Sequence, residues 1–289
     1  MNWTSSPIVP LGLATSRSRA SPILCIPGAG ASVTSFLDFA GAIGERYPIY
    51  GLQPKGLDLL EEPDTSVEAA SLRYLDAMRH ENIVGPVHLI GHSHGGRVAF
   101  DMALRLEASG SPVRSLTLVD TGAPEYEDHV WNVPADADIF REFVHVFERS
   151  FSVGLHVPDI HLGGASVQSF VNALHAELVR TRCLSARTSS DPVLGSLLTF
   201  MAARRRPYRA GKLYAGCVKL VVVGSHDEAE ALSVDRHVAL LAGWRRVAAK
   251  TDTWTGTGDH FSVLHVPHVM AMAAWWLRES VCAIDTEPA

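Results

Sequence analysis

Apolar residues in this chain fall into short unbroken runs, separated by stretches whose apolar positions recur every three or four residues. The runs are PILCIPGAG (22–30), YPIYGLQ (47–53), VHLI (87–90), VRSLTLVD (113–120) and CVKLVVVGS (217–225). A run of four to eight apolar residues closed by Gly or Pro reads as a strand buried on both faces. Between the first two runs, Phe36, Phe39 and Ile43 have helical spacing. The stretch TSVE predicts the start of a second helix, with Thr65 as cap and Glu68 completing a capping box, followed by Val67, Ala70, Leu75 and Met78 on one face. GRVAFDMALRLEASG predicts a third helix that stops near Gly110, and VPHVMAMAAWWLRES predicts the last.

Strands that alternate with helices and are apolar throughout predict an α/β fold: a mostly parallel sheet with helices on both faces. The alternation breaks between about residues 124 and 212, where DIFREFVHVFERSF, SVQSFVNALHAELVRTRC and DPVLGSLLTFMAARRR all have helical spacing. A helical insertion between two core strands has the pattern of a lid. Residues 1–21 are polar and rich in Ser and Pro and read as a flexible lead-in, which leaves 22–289 as a single domain.

Composition narrows the function classes. The chain has 289 residues, 47% of them hydrophobic, and a formal net charge of −6. One short basic run, Arg204-Arg205-Arg206, is no nucleic-acid stripe. The N-terminus lacks the charged start and apolar core of a secretory signal, and no run of about twenty apolar residues spans a membrane. Cys25, Cys183, Cys217 and Cys282 are scattered and form neither a zinc pattern nor a disulfide framework. The expectation is a cytoplasmic protein with no metal and no membrane partner.

The chemistry centres on VHLIGHSHGGRVAF (87–100). Gly91-His92-Ser93-His94-Gly95 matches G-x-S-x-G, a sharp strand-to-helix turn that lifts a serine hydroxyl out at the carboxyl end of the sheet. A strand ends at Gly91 and a helix follows at once, which is the context the motif requires. His-x-His is also a common chelate, but a metal needs further ligands nearby, and Gly95-Gly96 stand where an acidic ligand would be expected. A serine nucleophile needs a base, and the base needs an acid to orient it. His260, in the Gly-rich loop GTGDHFSVL, is the histidine placed after the last core strand. His265 and His268 read as residues at the start of the last helix. The acid has two candidates: Asp120, at the end of LTLVD, and Asp227, in GSHDEA. Both lie at carboxyl ends of strands, where this type of sheet builds its site. The oxyanion donors are expected to be the backbone N–H of His94 and that of Ala29 in the PGAGAS loop, with Gly28 and Gly30 as rivals.

LCIPGAGASVTSF, YGLQPKGLD, SVEAASLRYLDAMR, GPVHLIGHSHGGRVAFDMALRLEASG, LTLVDTGAPE and GDHFSVL together resemble the thioesterase domains that end nonribosomal peptide synthetases, type I enzymes of the α/β-hydrolase superfamily. The likeness is dense over residues 22–125 and returns at 213–277. It implies a substrate acyl or peptidyl chain carried as a thioester on the phosphopantetheine arm of a carrier protein, with no other cofactor. It also implies an acyl-enzyme on Ser93, released by hydrolysis or macrocyclisation. In that family the acid follows the same strand as Asp120; in free-standing type II editing thioesterases it lies where Asp227 is. The aliphatic and aromatic lid suits a dry acyl pocket, and Arg204–Arg206 read either as a solvated helix end or as a contact for a phosphate or an acidic carrier. The family usually carries an apolar or aromatic residue where this chain has His94, which makes His94 a candidate pocket residue. A lipase or esterase with the same triad, and a non-catalytic carrier-binding module, are the rival readings.

Overall fold

The computed structural model describes residues 6–12, 20–111, 113–125, 132–158, 166–224 and 230–282, with the side chains of 230–234 and 280–282 left aside. Its centre is a seven-stranded sheet in the order β1-β3-β2-β4-β5-β6-β7. The strands are β1 (Ile8–Pro10), β2 (Ile23–Ile26), β3 (Ile49–Leu52), β4 (His88–His92), β5 (Ser115–Val119), β6 (Tyr214–Val222) and β7 (Ala248–Thr255). All neighbours pair in parallel except β1, which runs antiparallel to β3.

The apolar runs are continuous because each strand feeds two cores. Along β2, Ile23 and Cys25 pack on one side while Leu24 and Ile26 pack on the other. The first face is covered by α1 (Leu37–Ile43) and α8 (His268–Cys282), through Phe36, Phe39, Ile43, Val269 and Met272. The second is covered by α2 (Val67–His80), α3 (His94–Ala108) and α7 (Glu230–Arg245), with Tyr74, Phe100 and the buried Trp244. Cys25 is wholly buried, and burial pushes its thiol above the ordinary range, as suits a core residue.

A third cluster belongs to the insertion. Here α4 (Asp136–Phe151), α5 (Val167–Arg180) and α6 (Asp191–Arg205) bury Phe140 against Phe170, with ring centroids 4.2 Å apart, and Phe143 against Phe200 at 5.4 Å. The insertion is tied to the body by the Ser196 hydroxyl, which donates to the Gly30 carbonyl at 2.7 Å.

Four elements depart from the sequence expectation. Ile8–Pro10, inside the stretch read as a flexible lead-in, is the edge strand β1; at three residues it is too short for periodicity to reveal. The second helix is capped by Ser66, whose hydroxyl accepts from Ala69 N at 3.2 Å, rather than by Thr65. Both α7 and the edge strand β7 went unrecognised. β7 reads AAKTDTWT and is largely exposed, so it lacks the apolar run that marks the central strands. Among the described residues, no helix is long and apolar enough to cross a membrane.

The sheet and α3 meet closely at the serine turn. A Cβ on Gly95 would overlap the carbonyls of Ile26 and Pro27, and one on Gly96 would overlap the side chain of Thr121. Thr121 is fully buried, and its carbonyl accepts from Trp244 Nε1 at 2.7 Å, so it has little room to yield. Gly96→Ala is therefore expected to cost about 1–3 kcal/mol through overpacking, read as a lower urea midpoint; an unchanged midpoint would mean that α3 shifts freely.

Candidate active site

Ser93 follows β4 directly with φ 54° and ψ −124°, a left-handed backbone that few non-glycine residues adopt. Its N–H donates to Val119 O at 2.9 Å, which holds the turn against the next strand. The chain enters α3 at His94, so the first N–H groups of that helix have no intrahelical partner. Asp120 follows β5 directly in a second strained position, φ 41°, and its N–H donates to Val221 O at 2.8 Å. Each of these residues is thus fixed by a bond to the neighbouring strand at the same end of the sheet.

The third residue comes from beyond β7. The His260 loop is shaped by Asp259, whose Oδ1 accepts from Phe261 N at 3.0 Å, Ser262 N at 2.9 Å and the Ser262 hydroxyl at 2.7 Å. Its Oδ2 accepts from Arg149 of α4 at 2.7 Å. Burial pushes the Asp259 carboxyl up, but these donors outweigh it and hold the group down at about 2. The loop brings His260 Nδ1 to 2.6 Å from Asp120 Oδ2. The carboxylate can only accept, so Nδ1 carries the proton and Nε2 is left to act as an acceptor. His260 lines the same cavity as Ser93. The structure therefore brings together Asp120, His260 and Ser93, which the sequence separates by up to 167 positions. Asp227, the alternative acid, lies outside the described residues.

Two supporting residues carry no signal in the sequence. Arg236, from α7, donates to Asp120 Oδ2 at 2.7 Å and to Val223 O at 3.3 Å. Asp120 has a nearly buried side chain, and its Oδ1 is buried without a hydrogen-bond partner. Burial pushes its carboxyl up; the bonds and charges of His260 and Arg236 outweigh this and hold it below the usual range. His92 reaches the His260 loop. Its Nε2 donates to the His260 carbonyl at 2.9 Å, and the two rings lie 4.7 Å apart. Burial, reinforced by His260, lowers the His92 pKa to about 3, so the ring is a neutral strut.

His92 and His94 diverge, as neighbours in a tight turn must. His94 turns into a cavity of about 320 Å³ that it shares with Ser93, His260 and Ala29. A second, smaller cavity lies behind it, lined by Gly28, Ala29 and Tyr74. Burial, with Arg97 and Arg204 nearby, lowers the His94 pKa to about 4, leaving it neutral at physiological pH. Among the described residues, no group of three His, Cys, Asp or Glu side chains is arranged to hold a metal ion.

The cavity departs from the dry, aliphatic pocket that the lid sequence predicts. Glu142 and His145 from α4, Arg204 from α6 and Arg97 from α3 line it beside Val146, Phe200 and Phe261. The phenylalanines Phe140, Phe143 and Phe170 face the insertion's own core instead. The apolar stripe that identifies the helices builds the lid; the polar stripe behind it meets the site. Arg204 forms a bidentate pair with Glu142 at 2.8 and 2.9 Å, while Arg205 pairs with Asp136 at 2.7 Å.

Comparison with known proteins gives one consistent answer. A family profile described as "Thioesterase domain" matches residues 21–276. Indigoidine synthase of Dickeya dadantii (strain 3937) is 33% identical over 125 residues, which is 42% of this chain and 8% of the synthase. Vanchrobactin synthetase VabF of Vibrio anguillarum is 29% identical over 195 residues, or 66% of this chain and 7% of the synthetase. The chain thus spans less than a tenth of the length of either relative. A Vlm2 thioesterase domain bound with a dodecadepsipeptide superposes with a TM-score of 0.67 at 20% identity, covering 95% of this chain and 97% of that one. The type II thioesterase BorB from the borrelidin biosynthetic cluster gives 0.64 at 21% identity, covering 96% and 100%. At such identities these superpositions establish the shared fold.

Proposed function

From the premise that this chain belongs to the thioesterase-domain family, whose profile spans residues 21–276, we propose that it releases an acyl or peptidyl chain from the phosphopantetheine thioester of a carrier protein in nonribosomal peptide or hybrid polyketide synthesis. Family membership makes it a hydrolase. The named relatives that are peptide synthetases support the biosynthetic setting. The observation that carries the mechanism is the 2.6 Å bond from His260 to Asp120 beside a cavity that also holds Ser93.

In this reading His260 Nε2 takes the Ser93 proton as Oγ attacks the thioester carbonyl. The N–H groups of His94 and Ala29 stabilise the oxyanion. The C–S bond breaks, the proton passes from His260 to the departing pantetheine sulfur, and the acyl group remains as an ester on Ser93. Water, activated by His260, then yields the acid; an amine or hydroxyl of the chain itself yields a lactam or lactone. The bond to Asp120 favours a synthetase-type releasing domain, whereas the likeness to BorB supports a free-standing editing enzyme as the second reading.

Intact-mass analysis with a panel of acyl-pantetheine thioesters tests this. The expected result is a mass increase equal to one acyl group, located on Ser93, followed by release. Turnover of simple esters with no preference for thioesters would point instead to a lipase or esterase.

Arg236 should tune the acid. Removing it deletes one of the two donors on Asp120 Oδ2 and raises the Asp120 pKa. Because that pKa is held down in the folded protein, the ionised state is lost as pH falls through it, and a higher value brings the loss at higher pH. Arg236→Met is expected to move the acid limb of the kcat/KM profile upward, with Arg236→Lys restoring part of the shift. Superimposable profiles would count against this role.

A further inference from the structure

The cavity beside Ser93 holds more cationic than anionic side chains. Arg97, in the first turn of α3, lines the cavity together with Ser93. Its Nε donates to Gly122 O at 3.1 Å and its Nη2 to Ala123 O at 3.3 Å, and Nη2 also forms an ion pair with Glu125, outside the cavity lining, at 3.7 Å. Those anchors fix the guanidinium plane and leave Nη1 for a ligand. Burial, with Arg204 nearby, lowers the Arg97 pKa, and Glu125 offsets part of this. The other lining guanidinium, Arg204, is already matched by Glu142. Neutral His94 adds no balancing charge. The remaining wall, with Val146, Phe200 and Phe261, is apolar.

Resting on the thioesterase reading above, we propose that this cavity is an acyl subsite for a short chain ending in a carboxylate, with Arg97 as the residue that reads it. A carboxylate on the substrate would give the Arg97 Nη1 hydrogens a direct anionic acceptor, a charge-assisted hydrogen bond. The apolar wall takes the methylene spacer, and a cavity of about 320 Å³ suits a short chain rather than a long one.

The experiment compares glutaryl-pantetheine with pentanoyl-pantetheine, chains of equal length that differ in the terminal carboxylate, by thiol release corrected for the uncatalysed rate. The expected result is a kcat/KM for glutaryl about 10–100-fold higher, the size of one charged hydrogen-bonded contact. Arg97→Met should remove most of that preference, mainly through KM, and Arg97→Lys should keep part of it. Equal rates in the native protein, or a preference that survives Arg97→Met, overturn the proposal. A second arm uses the phosphopantetheine forms. A gain that follows the phosphate rather than the acyl carboxylate would assign the cationic lining to the carrier arm and also overturn it. Turnover of pentanoyl alone sinks only this inference, whereas turnover of no thioester sinks the parent reading with it. Circular dichroism of both variants separates misfolding from lost recognition.

Discussion

Ser93→Ala is expected to abolish acyl-enzyme formation and to lower turnover by about 10⁴-fold or more, as removal of a nucleophile does in triad enzymes. The substitution deletes one oxygen and leaves the Cβ, so the strained turn at φ 54° and the bond from residue 93 N to Val119 O are retained. Stability should stay level or rise slightly, since the left-handed backbone serves to present the hydroxyl rather than to pack it. Two measurements together carry the prediction: loss of the acyl adduct in intact-mass spectra, and a thermal midpoint no lower than that of the native protein. An adduct that persists at another residue would remove Ser93 from the mechanism.

Asp120→Asn has the second largest expected effect, a fall in kcat of about 10³–10⁴-fold with the fold intact. The carboxylate can only accept, which fixes the proton on His260 Nδ1. An asparagine amide can donate to Nδ1 instead, which leaves the proton on Nε2 and the base unable to accept from Ser93. The substitution also strips Arg236 of its anionic partner at 2.7 Å, so a modest loss of stability should accompany the kinetic one. Asp227→Asn is the control. If it proves crippled while Asp120→Asn stays near native, the acid belongs to the strand after the insertion, and the Asp120 contact is structural.

These two substitutions touch the part of the site that was most legible in the chain. The turn GHSHG declares itself because a strand that ends on glycine and a helix that starts at once leave one geometry for the serine between them. The acid was legible only as a pair, since Asp120 and Asp227 both follow buried strands. Arg236 and His92 were not legible at all. Each acts through a hydrogen bond across more than a hundred positions, and such a bond leaves no periodicity behind. β7 escaped notice for a different reason: an edge strand need not be apolar, and AAKTDTWT is not.

The pocket shows the same division. Helical periodicity in the insertion reports which positions are apolar, and the physics of burial then supplies a core. It does not report which core. Phe140, Phe143 and Phe170 close on one another, and so Glu142, His145 and Arg204 are left to line the cavity beside Ser93. From the sequence alone followed the five central strands, most of the helices that cover them, the serine turn and a candidate histidine after the last core strand, because each depends on local pattern and on the fixed hand of the β-α-β connection. Only the tertiary structure showed that Asp120 meets His260, what props His260 from behind, and that Glu142, His145 and Arg204 of the insertion face the cavity, because each is a contact between segments whose approach the backbone geometry of the whole sheet sets.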